Sequence, residues 1–285
     1  MEFVEILKII LLGIVEGITE WLPVSSTGHM LLLDKIFTME QTPAFKDVFI
    51  YFIQLGAILA VVILFWNKLF PWKKQKTTDE NGLPMQKIVL DKGILSLWGK
   101  VIVACLPAGV IGLLVDMPDH TLVIALALIV YGVAFILIEN YNKKRTFSIT
   151  TTAEITYKHA LIIGAFQVLA IIPGTSRSGA TILGALLIGV SRPAGAEFTF
   201  FLAIPVMLGA SAIKILQYIL DFGMFSGAQI GYLLIGAGVA FAVSIFAVKF
   251  LMNFVKKHDF KPFGWYRIAL GVIVIGALVI PPLFA

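Results

Sequence analysis

The sequence predicts an all-α polytopic membrane protein with six transmembrane helices and two re-entrant helical hairpins, arranged as an inverted-topology repeat. Three observations lead to this prediction. Of the 285 residues, 59% are hydrophobic and 14% are charged, whereas a soluble protein has about 25% charged residues. Most basic residues lie in three loops between long apolar segments, and two further apolar segments are interrupted by similar polar motifs.

Six segments contain the roughly 20 apolar residues that a helix needs to cross a membrane. They are 48–66, 98–116, 120–139, 197–220, 228–250 and 266–284. The segments 3–30 and 160–190 are also long enough to cross, but each contains proline, glycine and several hydroxyl side chains. Tryptophans near segment ends, such as Trp72 and Trp265, suit the membrane interface.

The distribution of lysine and arginine predicts the topology. These residues concentrate in the loops 67–97, 140–158 and 251–265, and the positive-inside rule places all three loops in the cytoplasm. Two spans separate the first loop from the second, but three apolar segments separate the second from the third. One of the three must fail to cross, and 160–190, interrupted by PGTSRSG, is the candidate for a re-entrant pair of half-helices.

Residues 3–30 resemble this interrupted segment. A shift of 151 residues aligns small or polar residues in both, namely Gly13, Glu16, Ser25, Thr27 and Gly28 with Gly164, Gln167, Ser176, Ser178 and Gly179. We therefore expect one membrane domain over 1–285, with a first repeat in 1–140 and a second, inverted repeat in 155–285. The two polar tips would then meet inside the membrane, as in many transporters built from inverted repeats.

Composition also argues against several classes of protein. The net charge of +5 does not indicate a nucleic-acid-binding protein, because the basic residues lie in loops that suit anionic lipid. Cys105 is the single cysteine, so no disulfide can form within the chain. Residues 1–15 do not resemble a signal peptide, since they contain Glu2 and Glu5 and no small-residue cleavage site follows.

The first polar motif, EGITEWLPVSSTGH at residues 16–29, begins with two candidate metal ligands. Glu16 and Glu20 are one helical turn apart, and two carboxylates this close in a low dielectric need a cation or a proton nearby. We interpret them as ligands, singly or together, of a divalent cation such as Mg²⁺ or Ca²⁺, which would also bind phosphate oxygens. The alternative is a water-exposed helix end or a pair neutralised by Arg177.

The second half of this motif contains a candidate nucleophile and anion-binding groups. Ser26 needs a base or a metal nearby to act as a nucleophile, and His29, three residues later, could be that base or the acid for the leaving group. Ser25, Thr27 and Gly28 offer hydroxyl and backbone N–H groups to an anion at a helix N-terminus. Ser25 and Thr27 could instead only cap the half-helix.

The second polar motif, PGTSRSGAT at residues 173–181, places Arg177 in the middle of an apolar segment. Such an arginine must be paired, and its planar fork suits phosphate oxygens. Hydroxyl donors surround it at Ser176, Ser178 and Thr181. Gln167 is expected to lie just behind these groups. The alternative is a structural ion pair between Arg177 and a glutamate of the first repeat.

Both motifs resemble the signatures of the undecaprenyl pyrophosphate phosphatase family, the bacitracin-resistance membrane proteins. The first family motif is a glutamate-rich helix that continues into LPVSSTGH, and it matches residues 16–29 throughout. The second, PGxSRSxxT, matches residues 173–181 throughout. The similarity in hydropathy covers essentially the full length.

The resemblance implies that the chain hydrolyses undecaprenyl pyrophosphate to undecaprenyl phosphate, which recycles the lipid carrier of peptidoglycan synthesis and gives bacitracin resistance. It implies a divalent-cation requirement and a site that opens to the outer face of the bacterial cytoplasmic membrane. By motif position, Glu16 and Glu20 would be catalytic or metal-binding carboxylates and Ser26 the nucleophile. His29 would be the acid or base, and Arg177 would hold the pyrophosphate.

Two other functions fit parts of the sequence. SSTGH loosely resembles an element of phosphatidic-acid-phosphatase-type enzymes, but no histidine follows Ser176 and Arg177 at a comparable distance. A transporter or flippase of a phosphorylated lipid would use the inverted repeat for alternating access. The combination of nucleophile, carboxylates and arginine favours the enzyme. The sequence leaves the oligomeric state open, a homodimer included.

Overall fold

The computed structural model describes residues 2–78, 84–115, 117–118 and 120–279, and it is mainly helical. The helices and strands are α1 Phe3–Thr19, α2 Ser26–Ile36, α3 Pro43–Leu64, α4 Trp66–Leu69, β1 Trp72–Thr78, β2 Pro84–Leu90, α5 Lys92–Leu114, α6 Thr121–Asn142, α7 Tyr157–Val168, α8 Arg177–Leu187, α9 Arg192–Phe222, α10 Gly227–Phe254 and α11 Lys261–Val274. Short 3₁₀ turns lie at Thr152–Glu154 and Leu169–Ile171, and a π turn at Ile275–Val279 continues α11.

Six helices of the described chain are long and apolar enough to cross a membrane, which confirms the six predicted spans and a multi-pass membrane protein. They are α3, α5, α6, α9, α10, and α11 with its π turn. The last predicted span reaches residue 284, and its residues 280–284 lie outside the described part of the chain.

Several spans begin earlier than hydropathy predicts, because capping residues precede the apolar run. Thr42 caps α3 by accepting a hydrogen bond from the Phe45 N–H. Ser191 caps α9 through the N–H of Ala194. A proline near the start of each of these two helices supplies a φ angle that suits the first turn.

The loop 67–97 departs from the all-α prediction, because it contains an antiparallel β-hairpin. β1 pairs with β2 in a register that runs from Trp72 opposite Leu90 to Thr78 opposite Pro84. Residues that favour strands occur in both, with Trp72 and two threonines in β1 and Ile88 and Val89 in β2. Hydropathy showed only that this segment is a loop between spans.

Small residues allow the helices to approach closely. α6 packs on α11, where a Cβ atom at Gly132 or at Gly264 would come within 2.7 Å of the other residue's carbonyl oxygen. α3 packs on α10, where a Cβ atom at Gly56 would overlap the carbonyl of Ala237. α1 also packs on α10, and α7 packs on α5. The largest buried apolar cluster surrounds α8 and α9 and includes Trp21, Phe135 and Phe198.

The two interrupted segments each fold as a helix, a bent tip and a second helix. α1 and α2 have 17 and 11 residues, and α7 and α8 have 12 and 11. Each helix is shorter than the roughly 20 residues of a span. α8 is buried from Ser178 to Leu186, whereas α2 buries only Gly28 and Met30. The second tip is therefore enclosed by protein, and the first is more open.

Candidate active site

The two polar tips have the same backbone conformation. Ser25 and Ser176, which are 151 residues apart, have φ angles of 73° and 70°, and no other described non-glycine residue has a positive φ. Each serine accepts a hydrogen bond through Oγ from the N–H three residues later, at Gly28 (3.4 Å) and at Gly179 (3.3 Å). This confirms that Ser25 caps its helix. A left-handed serine is strained, and such strain typically occurs at functional sites.

Glu20 joins the two motifs through its two carboxylate oxygens. Its Oε1 forms an ion pair of 2.8 Å with Nη2 of Arg177. Its Oε2 accepts a hydrogen bond of 3.2 Å from Oγ of Ser26. The expected nucleophile and the expected phosphate-binding arginine, which are equivalent under the 151-residue shift, therefore contact the same carboxylate.

Arg177 has further partners that fix its orientation. Nη1 donates to the carbonyl of Thr199 (3.0 Å), and the guanidinium lies 5.9 Å from the ring centre of Trp21. Its Nε is buried and has no hydrogen-bond partner among the described residues. A buried donor without a partner is unfavourable, so Nε is a group that a phosphate oxygen could satisfy.

Glu16 is fully buried and faces both Glu20 and the side chain of Gln54. Within the described chain, neither of its carboxylate oxygens makes a hydrogen bond of normal geometry. A buried carboxylate in this state needs a cation or a proton. This observation fits a divalent cation at Glu16 and Glu20.

The pair is only part of a ligand set, since the described residues include no cluster of three or more His, Cys, Asp or Glu side chains that could hold a metal ion. Mg²⁺ commonly binds to one or two carboxylates and takes its other ligands from water and substrate phosphate. Glu16 and Glu20 therefore suit a cation that binds together with a phosphorylated substrate.

The described hydrogen bonds of His29 go to Ser25 and Tyr266, and none joins it to Ser26. Its Nδ1 donates to the carbonyl of Ser25 (2.7 Å), so in the neutral ring Nε2 is the acceptor and takes a hydrogen bond from the Tyr266 hydroxyl (2.6 Å). The two rings are stacked at 5.6 Å. Both nitrogens of the expected acid or base are thus occupied, and Glu20 is the carboxylate that contacts Ser26.

The hydroxyl groups of the second motif bond mainly within the protein. Ser178 Oγ donates to the backbone carbonyl of Glu20 (3.1 Å), and Ser176 Oγ lies 3.2 Å from Ser178 Oγ. Thr181 is fully buried, bonds to the carbonyls of Arg177 and Ser178, and accepts from Thr199. These contacts bring the two tips together, but they do not direct Thr181 toward an open space.

The remaining predicted residues lie near the tips in different environments. Thr27 lines a cavity beside Ser26. The N–H of Gly28 donates a hydrogen bond to Oγ of Ser25, and a Cβ atom at Gly28 would lie 3.1 Å from the side chain of Leu128. The amide of Gln167 is buried, and neither of its polar atoms has a partner in the described chain.

A cavity of about 700 Å³ lies next to the first tip. Its polar lining includes Glu16, Ser26, Thr27 and Gln54, and its apolar lining includes Leu12, Met30, Phe49, Ile124 and Ile171. Ion pairs between Asp47 and Lys214 (2.7 Å) and between Asp34 and Lys46 (3.7 Å) also belong to the lining. A cavity lined by both polar and apolar side chains suits an amphiphile.

Sequence reasoning missed Arg267, which is fully buried between the tips. Its Nη1 donates to the carbonyl of Pro23 (3.3 Å), and its Nη2 donates to the carbonyls of Gly174 and Thr175 (both 2.9 Å). The signal was available, because Arg267 is a lone arginine in an apolar run, like Arg177. Arg267 is the second residue of the predicted span 266–284, and its position in the sequence does not show that it reaches the tips.

Comparisons with known proteins agree with this site. The sequence model described as "Bacitracin resistance protein BacA" matches residues 9–273. A protein of Enterococcus faecalis named undecaprenyl-diphosphatase is 59% identical over 280 residues, covering 96% of this chain and 98% of the relative. Proteins of the same name from Desulfitobacterium hafniense and Acetivibrio thermocellus are each 53% identical, covering 96% and 95% of this chain and 96% and 97% of their own lengths. By these matches and by both motifs, the chain belongs to the bacitracin resistance protein BacA family.

Proposed function

We propose that this protein is an undecaprenyl-diphosphate phosphatase. It hydrolyses undecaprenyl pyrophosphate to undecaprenyl phosphate and inorganic phosphate, and so returns the carrier lipid to peptidoglycan synthesis and gives resistance to bacitracin. The observation that carries the proposal is the contact of Glu20 with both Ser26 and Arg177. The name shared by the relatives identifies the substrate.

The substrate is proposed to bind with its pyrophosphate at the tips and its isoprenoid tail along the apolar lining of the cavity. Arg177 binds the terminal phosphate through Nε, which is buried and has no partner among the residues described, and through the nitrogens that now bond to Glu20 and Thr199. Thr27 and the backbone near Gly28 add donors at the start of α2. Thr181 and Ser178 support this arrangement from behind, through the contacts described above.

Ser26 is the proposed nucleophile. Its Oγ bonds to the terminal phosphorus, the bond from that phosphorus to the bridging oxygen breaks, and undecaprenyl phosphate leaves with the electron pair. The Ser26 proton passes to Glu20 Oε2, with which Ser26 already shares a hydrogen bond. Water then attacks the phosphoserine, and inorganic phosphate leaves as the serine regains a proton.

Direct attack by water is the competing scheme, in which Ser26 would only orient the substrate. It needs a base near the attacking water, and Glu16, Glu20 or a rearranged His29 would have to supply it. Trapping a phosphorylated Ser26 supports the first scheme. In both schemes, the arginine neutralises the charge on the transferring phosphoryl group, which is the main requirement of this chemistry.

Glu16 and Glu20 are the proposed ligands of a divalent cation, Mg²⁺ or Ca²⁺. When bound, the cation would supply positive charge to the phosphate oxygens. The buried oxygens of Glu16, which make no hydrogen bond of normal geometry within the described residues, support this assignment.

The architecture is proposed to be an inverted repeat of a re-entrant hairpin and three spans, with repeats in 1–140 and 155–285. Three features support it. Both tips share the left-handed serine, and both hairpins contain a glycine, Gly13 or Gly164, that lies against a carbonyl of the opposite repeat. The packing is reciprocal as well, since α1 lies on α10 and α7 lies on α5.

The proposed location is the bacterial cytoplasmic membrane, with the site open to its outer face. The three basic loops border one cavity, whose lining includes Lys68, Thr151 and Lys256. The site cavity includes the opposite ends of α3 and α5, at Lys46 and Val115. Labelling of Ser26→Cys and Lys143→Cys in a Cys105→Ala background tests this: labelling of both from the cytoplasm contradicts the proposed topology.

Phosphate release by the purified protein in detergent tests the proposed function. The wild type should release phosphate from undecaprenyl pyrophosphate, and Glu20→Gln and Arg177→Met should not. Arg192→Met is the matched control, because it breaks another largely buried arginine pair, with Glu139, away from the tips. A wild type that binds the lipid without releasing phosphate would contradict the proposal.

Transport of the phosphorylated lipid is a second candidate, and one observation favours it. A second cavity of about 560 Å³ lies at the other end of α3 and α9, with the Lys68–Glu197 ion pair in its lining. The first cavity has the Lys214–Asp47 pair in a corresponding place. Movement of a fluorescent undecaprenyl phosphate across vesicles that contain the protein would support transport.

A further inference from the structure

We infer that Tyr266 and Arg267, two consecutive residues of α11, are positioning residues that hold the nucleophile and the phosphate-binding arginine in register. This inference rests on the proposed function, because its kinetic consequence is a loss of turnover. Neither residue belongs to the two polar motifs, and both lie on α11, far along the chain from either motif.

Arg267 acts on both tips at once. Its contact with the carbonyl of Pro23 lies three residues before Ser26, and its contacts with Gly174 and Thr175 lie just before Arg177. The carbonyls belong to different halves of the chain, so a single side chain fixes their separation. The planar guanidinium is suited to this, because its donors point in fixed directions that a lysine cannot reproduce.

The arginine is held in place by its own surroundings. It is fully buried, and its guanidinium lies 5.7 Å from the ring centre of Tyr131. No acidic partner within 4 Å of it is found in the described chain, so the backbone carbonyls are the groups that stabilise its charge. Nε of Arg267 has no hydrogen-bond partner among the described residues, so the hydrogen bonds of this buried charge all go to carbonyls of the two tips. Such a charge favours the conformation in which the tips meet.

Tyr266 acts on the first tip through His29. The tyrosine hydroxyl bonds to Nε2 of His29, and Nδ1 of the same ring bonds to the carbonyl of Ser25. Ser25 is the residue with φ of 73°, directly before Ser26. This chain of contacts stabilises the strained peptide that orients the Ser26 hydroxyl toward Glu20. His29 therefore has a positioning role here.

The inference predicts that these residues affect turnover more than binding. Arg267→Met should lower kcat about 100-fold, since a displacement of about 1 Å at reacting groups can reduce a rate by this factor, while KM changes less than about 3-fold. Arg267→Lys should recover part of the loss and remain about 10-fold below the wild type. Tyr266→Phe should lower kcat about 10-fold. This loss should disappear in a His29→Gln background, where the hydrogen bonds that link Tyr266 to Ser25 through His29 are already lost.

Steady-state kinetics on undecaprenyl pyrophosphate, with thermal unfolding as a folding check, tests these expectations. Wild-type kcat and KM in Arg267→Lys would overturn the role of Arg267, even if Arg267→Met does not fold. Independent, multiplicative losses from Tyr266→Phe and His29→Gln would overturn the role of Tyr266. Arg192→Met is again the control for loss of a buried arginine.

A distance measurement separates this inference from the proposed function. Spin labels at Leu22→Cys and Ile172→Cys, in a Cys105→Ala background, report the separation of the tips. The distribution should be narrow in the wild-type background and broader in Arg267→Lys. An unchanged distribution overturns the positioning role, whereas failure of wild-type phosphate release contradicts the proposed function and leaves the distance result unchanged.

Discussion

Glu20 and Arg177 are 157 residues apart in the sequence, yet their side chains form an ion pair of 2.8 Å. Both side chains are about nine-tenths buried, with 9% and 11% of their surfaces exposed. The second oxygen of Glu20 accepts a hydrogen bond from Ser26. The pair therefore links the halves of the molecule and contacts the candidate nucleophile.

This ion pair should stabilise the fold only when both partners are present. Arg177→Met alone leaves the buried carboxylate of Glu20 without the guanidinium that balances its charge, which costs about 3–5 kcal/mol of unfolding free energy. The double variant Glu20→Gln/Arg177→Met should be more stable than Arg177→Met. Thermal unfolding in one detergent checks this order, and a double variant no more stable than Arg177→Met would contradict this account.

Removal of divalent cations should abolish phosphate release. Chelation with EDTA leaves Glu16 and Glu20 without the cation that we place there, and added Mg²⁺ or Ca²⁺ should restore activity. Glu16→Gln should require a higher cation concentration for half-maximal activity, because one ligand loses its charge. Asp47→Asn is the control, because Asp47 lines the same cavity but is not one of the two proposed metal ligands. The cation requirement of this variant should match that of the wild type. Full activity in EDTA would exclude the metal site.

Gly164 should tolerate no side chain, because even a Cβ atom would overlap the carbonyl of Ala104 on α5. Gly164→Ala should therefore lower the unfolding free energy by about 1–3 kcal/mol. Gly209 is the matched control within α9, since nothing lies within 4 Å of its Cβ position. Gly209→Ala should leave stability unchanged or raise it slightly. Equal melting temperatures for the two alanine variants would show that α7 does not pack on α5 this closely.

Thr181 should matter for stability rather than for substrate affinity. Its hydroxyl bonds to two backbone carbonyls and to Thr199, and the residue is fully buried. Thr181→Val keeps the shape and should lower stability by about 1–3 kcal/mol, because Thr199 loses its partner. KM should remain within about 2-fold of the wild type. A KM increase of 10-fold without loss of stability would instead support direct substrate binding by Thr181.

Much of the candidate site could be predicted from the sequence, because a polar group inside a membrane is costly and therefore marks a position that needs a partner or has a function. Arg177 had to find a partner, and Glu20 is that partner. The parity of the basic loops predicted that 160–190 does not cross; α7 and α8 are each shorter than a span, and the re-entrant path stays a prediction. The 151-residue shift aligned Ser25 with Ser176, which share their unusual conformation.

Other features depended on contacts that spacing does not reveal. His29 is three residues from Ser26, but its ring bonds to Tyr266, 237 residues away. Arg267 bonds to backbone carbonyls of both tips, and a carbonyl has no signature in the sequence. The β-hairpin of the loop 67–97 forms by local pairing outside the spans, where hydropathy predicts only a loop. Side-chain direction and backbone partners are thus what the sequence could not supply.

The central claim is that Ser26, activated by Glu20, attacks the terminal phosphorus of undecaprenyl pyrophosphate bound to Arg177. The most direct test is phosphate release by purified Ser26→Ala, measured beside Ser176→Ala, which changes the equivalent tip's capping serine. We expect Ser26→Ala to lose turnover on the order of 10³-fold or more, as enzymes do when a nucleophile is removed, while Ser176→Ala retains measurable activity. Near-normal turnover in Ser26→Ala would contradict the claim.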